Sequence, residues 1–193
     1  MFDNLKKYHI ILASNSPRRR ELLGGLGIPF EVKVLPDISE TYPDTLPACE
    51  TAQYIAVEKA AAYRDSMQPD DLVITADTVV ICGDEVLGKP ADEQDACRML
   101  RLLSGRTHHV ITGVCLTTQG RQRAFSVRTE VTFKALSDEE IDYYVRNYRP
   151  MDKAGAYGIQ EWIGYIGVTG LNGSYFNVMG LPVQRIYEEL RHF

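Results

Sequence analysis

The sequence predicts a globular chain of interleaved strands and helices, either one domain or two tightly packed lobes. Two observations carry that reading. Short apolar runs alternate with amphipathic helical patterns through the first 82 residues. With 193 residues, 45% hydrophobic and 24% charged, the chain is also long and apolar enough to bury a sizeable core.

The first run, Ile10 to Ala13, reads as a buried strand that breaks at Ser14-Asn15-Ser16. Ser16 is a good helix N-cap, and Pro17 suits the first helical position, where a missing N–H costs nothing. Leu22, Leu23 and Leu26 give that helix an apolar side, and Gly27 is placed to end it. Arg18, Arg19 and Arg20 occupy the first turn, against the helix dipole, where stability alone would favour Asp or Glu. A solvated basic face would explain them. An anion seated on the free N–H groups of the turn, a polyphosphate above all, explains them better.

Phe30 to Leu35 reads as a second strand, followed by a turn-rich segment from Pro36 to Pro47. Glu40 in that segment is an ordinary loop charge unless the loop folds over the first one. From Glu50 to Ser66 the pattern is helical, with Ala52, Ile55, Ala56, Ala60 and Tyr63 on one stripe. Lys59 falls in the middle of that stripe. Its stem can snorkel to solvent, or its ammonium can point inward to meet an anion in a cleft.

Asp71 to Cys82 is a core strand by composition, yet Asp77 stands near its centre. An ionised carboxylate is costly to bury unless donors or a cation meet it. A structural, hydrogen-bonded Asp is one explanation; a catalytic or metal-binding acid at the functional end of a strand is the favoured one. Gly83-Asp84 turns the chain, and Lys89 follows on the return, by itself an ordinary surface lysine.

Asp92 caps a helix running to about Leu103, with Ala96, Met99, Leu100 and Leu103 inward and Gly105 at its end. His109 to Thr118 and Arg123 to Lys134 read as strands around a Gln119-Gly120 turn. His108 and His109 point to opposite faces and are read as structural. Ser137 to Glu140 is a capping box opening a helix that carries Ile141, Tyr144, Val145 and Tyr148. The stretch 152–160 is too rich in glycine for a helix, 173–182 repeats that character, and a last helix uses Ile186 and Leu190.

The net charge of −5 argues against general nucleic-acid binding, so any anion site is a local basic pocket. No apolar run is long enough to span a membrane, and Met1-Phe2-Asp3-Asn4 lacks a leader pattern. Cys49, Cys82, Cys97 and Cys115 are scattered and read as small hydrophobes in a reducing compartment.

Six stretches taken together resemble the Maf-like nucleoside triphosphate pyrophosphatase family. They are Ala-Ser-Asn-Ser-Pro-Arg-Arg at 13–19, Ala-Asp-Thr-Val-Val at 76–80, Gly-Lys-Pro at 88–90, Ser-Gly-Arg-Thr at 104–107, Asp-Lys-Ala-Gly-Ala-Tyr-Gly-Ile-Gln at 152–160 and Gly-Ser-Tyr-Phe-Asn-Val-Met-Gly-Leu-Pro at 173–182. The Gly-Ile-Gln ending at Gln160 resembles the dTTP and UTP branch rather than the 7-methyl-GTP branch.

The resemblance implies an α/β fold of the Maf and inosine triphosphatase type: a mixed, strongly curved sheet flanked by helices, in two lobes whose central cleft holds the nucleotide. It treats residues 1–193 as a single Maf-like domain and implies hydrolysis between the α- and β-phosphates, giving a monophosphate and pyrophosphate. Carried over by motif position, Asp77 is the proton acceptor. Arg18, Thr78 and Gln160 matter for choosing the base. Ser14, Arg19, Glu40, Lys59 and Lys89 line the phosphate and metal site, with Glu40 and Asp77 toward the metal. The implied cofactor is a divalent cation, Mg²⁺ or Mn²⁺; the family is cytoplasmic and often forms homodimers. The partner is thus a nucleoside triphosphate, with no nucleic acid and no membrane. A non-catalytic nucleotide-binding regulator of cell division or septum formation is the alternative, and it could dispense with Asp77. A phosphotransferase of the P-loop type is disfavoured by the missing Gly-x-x-x-x-Gly-Lys-Ser/Thr loop.

Overall fold

A computed structural model describes residues 3–193, so Met1 and Phe2 of the tetrapeptide read for a leader pattern lie outside the described residues. In chain order the elements are β1 (His9–Leu12), α1 (Pro17–Gly24), β2 (Glu31–Val32), α2 (Thr51–Tyr63), β3 (Asp71–Cys82), β4 (Glu85–Leu87) and α3 (Glu93–Leu103). They continue with β5 (Thr107–Thr117), β6 (Gln122–Phe133), α4 (Asp138–Tyr148), α5 (Trp162–Gly167), β7 (Val168–Asn172), α6 (Tyr175–Met179) and α7 (Val183–Leu190). The strands form one seven-stranded sheet in the order β2-β1-β3-β5-β6-β7, with β4 also paired to β3. It is a mixed sheet: β1 is parallel to β2 and β3, whereas β4 on β3 and β7 on β6 are antiparallel. No helix among the described residues is long and apolar enough to cross a membrane.

The chain separates into two compact units. Among the described residues, the first comprises those up to 77, 112–127 and 180–193; the second comprises 78–111 and 128–179. In the first, Ile11, Tyr63, Met67 and Val73 form one buried cluster, and Ala56, Ala60 and Cys115 another. Helix α2 lies close to β5 because Gly113 has no side chain: a Cβ there would come within 2.3 Å of the backbone of Ala52 and Gln53. In the second unit, Leu100 and Leu103 of α3 pack with Val131 and Phe133 of β6, Tyr144 of α4 and Ile163 of α5. Each such side chain contributes on the order of 1.5–3 kcal/mol by leaving water.

Several expectations are met closely. β3 spans Asp71–Cys82 as read. Asp92 caps α3 by accepting from Asp95 N, and the Ser137/Glu140 capping box opens α4. The α2 stripe from Ala52 to Tyr63 is buried.

Others are corrected. Helix α1 ends at Gly24 with Gly25 as its cap, before Gly27, which takes a left-handed turn with φ +70°. β2 is only Glu31–Val32, because the Tyr63 hydroxyl takes over the backbone beyond it, donating to Lys33 O and accepting from Leu35 N. Tyr148 is exposed and stacks on Tyr144. Cys49 is exposed, so it is no buried hydrophobe; all four cysteines are free. The stretch 173–182 contains α6, whose start is fixed by Ser174 Oγ accepting from Asn177 N.

Candidate active site

In the first unit the site grows from the end of β1. Leu12 pairs with Ile74 of β3, and β1 then breaks into the Ser14–Ser16 turn while β3 runs on. Beyond Ile74, β3 loses its β1 neighbour, and its antiparallel partner β4 begins only at Val80. Asp77 lies in that interval. This is the carboxyl end of a parallel strand pair, where α/β sheets place ligands. The turn itself is set by Ser14 Oγ accepting from Ser16 N, and Ser16 caps α1 by accepting from Arg19 N.

Helix α2 brings Lys59 to Asp77. The Thr75 hydroxyl donates to Ala56 O at 2.6 Å, which fixes the helix on the face of β3 that carries Thr75 and, two residues on, Asp77. Lys59, one helical turn beyond Ala56, then reaches Asp77 Oδ1 at 2.8 Å and Glu40 Oε1 at 2.7 Å. The Lys59 and Asp77 side chains are only 12% and 13% exposed, and Glu40 is 46% exposed. The inward lysine of the apolar stripe therefore meets carboxylates, and the Pro36–Pro47 loop brings Glu40 to it. A cation between two acids relieves the desolvation that either group would suffer alone.

Arg19 lies alongside. Its Nε donates to Gly180 O and its Nη1 to Ala76 O, each at 2.8 Å, so part of the guanidinium holds the backbone just before Asp77. Burial pushes its pKa down and the neighbouring Arg18 adds to that, while the Asp77 and Glu40 charges push it back up. Ser14, Arg18, Arg19, Glu40, Lys59 and Asp77 thus all belong to the first unit; Arg19 feels the charges of Arg18, Asp77 and Glu40, and Lys59 pairs with both acids.

Thr78, Lys89 and Gln160 belong to the second unit. Lys89 is exposed just after β4, and the adjacent Gly88 carbonyl accepts from Gly155 N at 3.0 Å, tying the Lys89 turn to the 152–160 stretch. Tyr157 of that stretch is buried and its hydroxyl meets His108 Nε2 at 2.7 Å. Burial, with a smaller contribution from His109, pushes the His108 pKa down to about 4. Both histidines are structural, as read: His109 bonds Glu130 on the other face of β5. Half-buried Gln160 ends the stretch with its Oε1 buried and without a hydrogen-bond partner among the described residues. A buried amide oxygen left in that state is waiting for a donor.

Two carboxylates converging on one ammonium are a donor set for a hard divalent cation, which takes one or two carboxylates and fills its shell with water and phosphate oxygens. Among the described residues no cluster of three or more His, Cys, Asp or Glu could hold a metal alone. The residues present fit a cation shared with a phosphate-bearing substrate.

An α/β sheet whose strand end carries a lysine-bridged acid pair beside an arginine-led helix suits phosphoryl chemistry, which depends on positioning and charge. The sequence profile described as Maf-like protein matches residues 9–193, and the chain belongs to that family. Among its relatives, a Phocaeicola vulgatus protein is 71% identical over 191 residues, 99% of each chain, and is named dTTP/UTP pyrophosphatase. A Parabacteroides distasonis protein of the same name is 58% identical over 193 residues and all of both chains. One from Flavobacterium psychrophilum, again so named, is 50% identical over 186 residues, 96% of this chain and 93% of its own.

Proposed function

We propose that this protein hydrolyses dTTP and UTP to the nucleoside monophosphate and pyrophosphate. The observation that carries the chemistry is the convergence of Glu40 and Asp77 on Lys59 at the open end of β1 and β3. The full-length likeness to relatives named dTTP/UTP pyrophosphatase supports the substrate.

In the reaction, a water oxygen forms a bond to the α-phosphorus. The bond from that phosphorus to the bridging oxygen breaks, and pyrophosphate leaves with the electron pair. Asp77 accepts the proton that the water gives up. Lys59 holds the Asp77 carboxylate in place through its hydrogen bond to Oδ1, and Arg19 holds the strand behind it through Ala76 O. Arg18 and Lys89 supply positive charge for the phosphate oxygens, where catalysis is mostly positioning and electrostatic stabilisation. Glu40 and Asp77 would hold the divalent cation. Bound there, such an ion neutralises phosphate oxygens and lowers the pKa of its water.

Gln160 supports the choice of base. Its unpartnered Oε1 needs a donor, which uracil and thymine offer at N3–H; cytosine offers an acceptor there. An unmet buried polar group costs about 1–3 kcal/mol, so UTP should exceed CTP in kcat/KM by at least roughly tenfold. The free cysteines are in keeping with a reducing cytoplasm. Incubating the protein with UTP, dTTP, CTP and purine triphosphates in Mg²⁺ or Mn²⁺, then assaying pyrophosphate against orthophosphate, tests this. Pyrophosphate from UTP and dTTP is expected. Orthophosphate release, or equal turnover of UTP and CTP, would overturn it.

A further inference from the structure

We infer that Tyr144, Lys153 and Glu161 are positioning residues for Gln160 and that base discrimination depends on them; this rests on the reading of Gln160 given above. The three come from different parts of the second unit: Tyr144 from the middle of α4, Lys153 from the start of the 152–160 stretch, and Glu161 from the residue after Gln160. They meet at one point. The fully buried Tyr144 hydroxyl donates to Glu161 Oε2 and accepts from Gly158 N at 3.0 Å. Burial and the Glu161 carboxylate hold the Tyr144 pKa far above its usual value, so it is a phenol that donates. The Lys153 ammonium, its side chain only 9% exposed, reaches Glu161 Oε1 at 3.1 Å and Asp152 Oδ1 at 2.8 Å.

The effect is to grip the turn that carries Gln160 on both sides. Glu161 N donates to Gly158 O at 3.0 Å, closing residues 158–161 into a turn with Gln160 inside it. The Gly158 amide is held by Tyr144, and a Cβ on Gly158 would lie 3.0 Å from Glu161 Cδ and 3.1 Å from Lys153 Cε. The backbone of Gly158 therefore packs directly on the ion pair. Gly158 and Glu161 are thus held on either side of Gln160, yet its own Oε1 has no partner among the described residues. An amide free to turn over presents donor or acceptor indifferently and cannot separate uracil from cytosine. A turn that does not yield fixes where the Gln160 side chain starts, and so where its amide can meet the base that then orients it.

The energetics point the same way. A nearly buried ion pair is poor evidence for stability, since apolar residues of similar volume often do as well. A fully satisfied polar network does rigidify one arrangement. Here the arrangement fixed is the one that presents Gln160.

The test is the ratio of kcat/KM for UTP over CTP in Gln160→Ala, Tyr144→Phe, Glu161→Gln and the Tyr144→Phe/Gln160→Ala double variant. Tyr144→Phe removes one oxygen; Glu161→Gln keeps the shape and an acceptor for Tyr144 and serves if the first variant fails to fold. The expected result is a ratio reduced at least threefold in each single variant, with KM for UTP raised more than kcat is lowered. The double variant should show the same ratio as Gln160→Ala alone, because Tyr144 acts through Gln160. Folded Glu161→Gln with the wild-type ratio, while Gln160→Ala loses it, overturns the positioning role only. An unchanged ratio in Gln160→Ala overturns the base-reading role and the positioning role together.

Discussion

The two units hold their candidate functional groups by different means. In the first, Lys59 and Asp77 sit on regular elements, a helix and a strand, and the charges meet one another directly. In the second, Gln160 is on a turn with no regular structure, and its surroundings are gripped from two directions: His108 on Tyr157 and Tyr144 on Gly158. Charge chemistry at phosphorus needs fields in fixed places, which a sheet provides. Reading a base needs a neutral hydrogen-bonding edge whose direction is fixed, which a clamped turn provides.

Damage to the first unit should therefore abolish the reaction, whereas damage to the second should change its selectivity. The largest effect is expected for Asp77→Asn. It should lower kcat by roughly 10²-fold or more with the fold and nucleotide binding kept, as loss of a general base does. Steady-state kinetics with thermal unfolding as a control check this.

The histidines sharpen the contrast next. His108 is neutral when folded, with its pKa pushed down to about 4 from an ordinary 6.5. As pH falls from 6.5 toward 4, the unfolded chain takes up a proton that the folded chain refuses. Stability is therefore full above that window and lost through it, by about 3 kcal/mol in all. His9 in the first unit runs the other way. The Asp71 hydrogen bond, opposed by desolvation and aided by Glu31, raises its pKa, so its contribution is present at low pH and lost as pH rises. Because His9 is half exposed, that contribution is on the order of a few tenths of a kcal/mol. Urea midpoints from pH 7.5 to 4.5 for wild type and His108→Gln should converge at acid pH; parallel curves would show that His108 protonates freely in the fold.

Lys59→Met is expected to cost about 1–3 kcal/mol, less than a fully buried pair because Glu40 is partly solvated. It leaves two acids facing each other, so millimolar Mg²⁺ should raise the unfolding temperature of this variant more than that of the wild type. An equal response would show that the acids do not share a cation position. The smallest effect on turnover belongs to Gln160→Ala, which should narrow the UTP over CTP ratio by about tenfold, or about 1.4 kcal/mol, while reducing UTP turnover less. Side-by-side kinetics decide it.

The same contrast explains what could be read from the sequence. Asp77 and Lys59 were visible because each breaks a pattern: an acid inside a core strand, a cation inside an apolar stripe. Glu40 breaks no pattern, since a loop charge violates nothing; it was reached only through the family resemblance, and the ion pair with Lys59 is what distinguishes it in the fold. Gln160 was legible from the motif alone. Its clamp was hidden: Tyr144 looks like core, Lys153 like one member of a motif, and Glu161 like an exposed acid after a turn. The one available signal was that a buried tyrosine hydroxyl must find a partner. α5 and β7 went unread because Trp162 to Asn172 has neither a cap nor a sustained period, and packing decides its structure. The motif points Arg19 at phosphate, but the carbonyls of Gly180 and Ala76 that occupy part of it are set by the tertiary fold.

The central claim is that the acid pair of the first unit directs water to the α-phosphorus. Hydrolysis of UTP in oxygen-18 water under single-turnover conditions, with mass spectrometry of both products, tests it most directly. Label in UMP and none in pyrophosphate is the result predicted; label in pyrophosphate would place the attack at the β-phosphorus and contradict it.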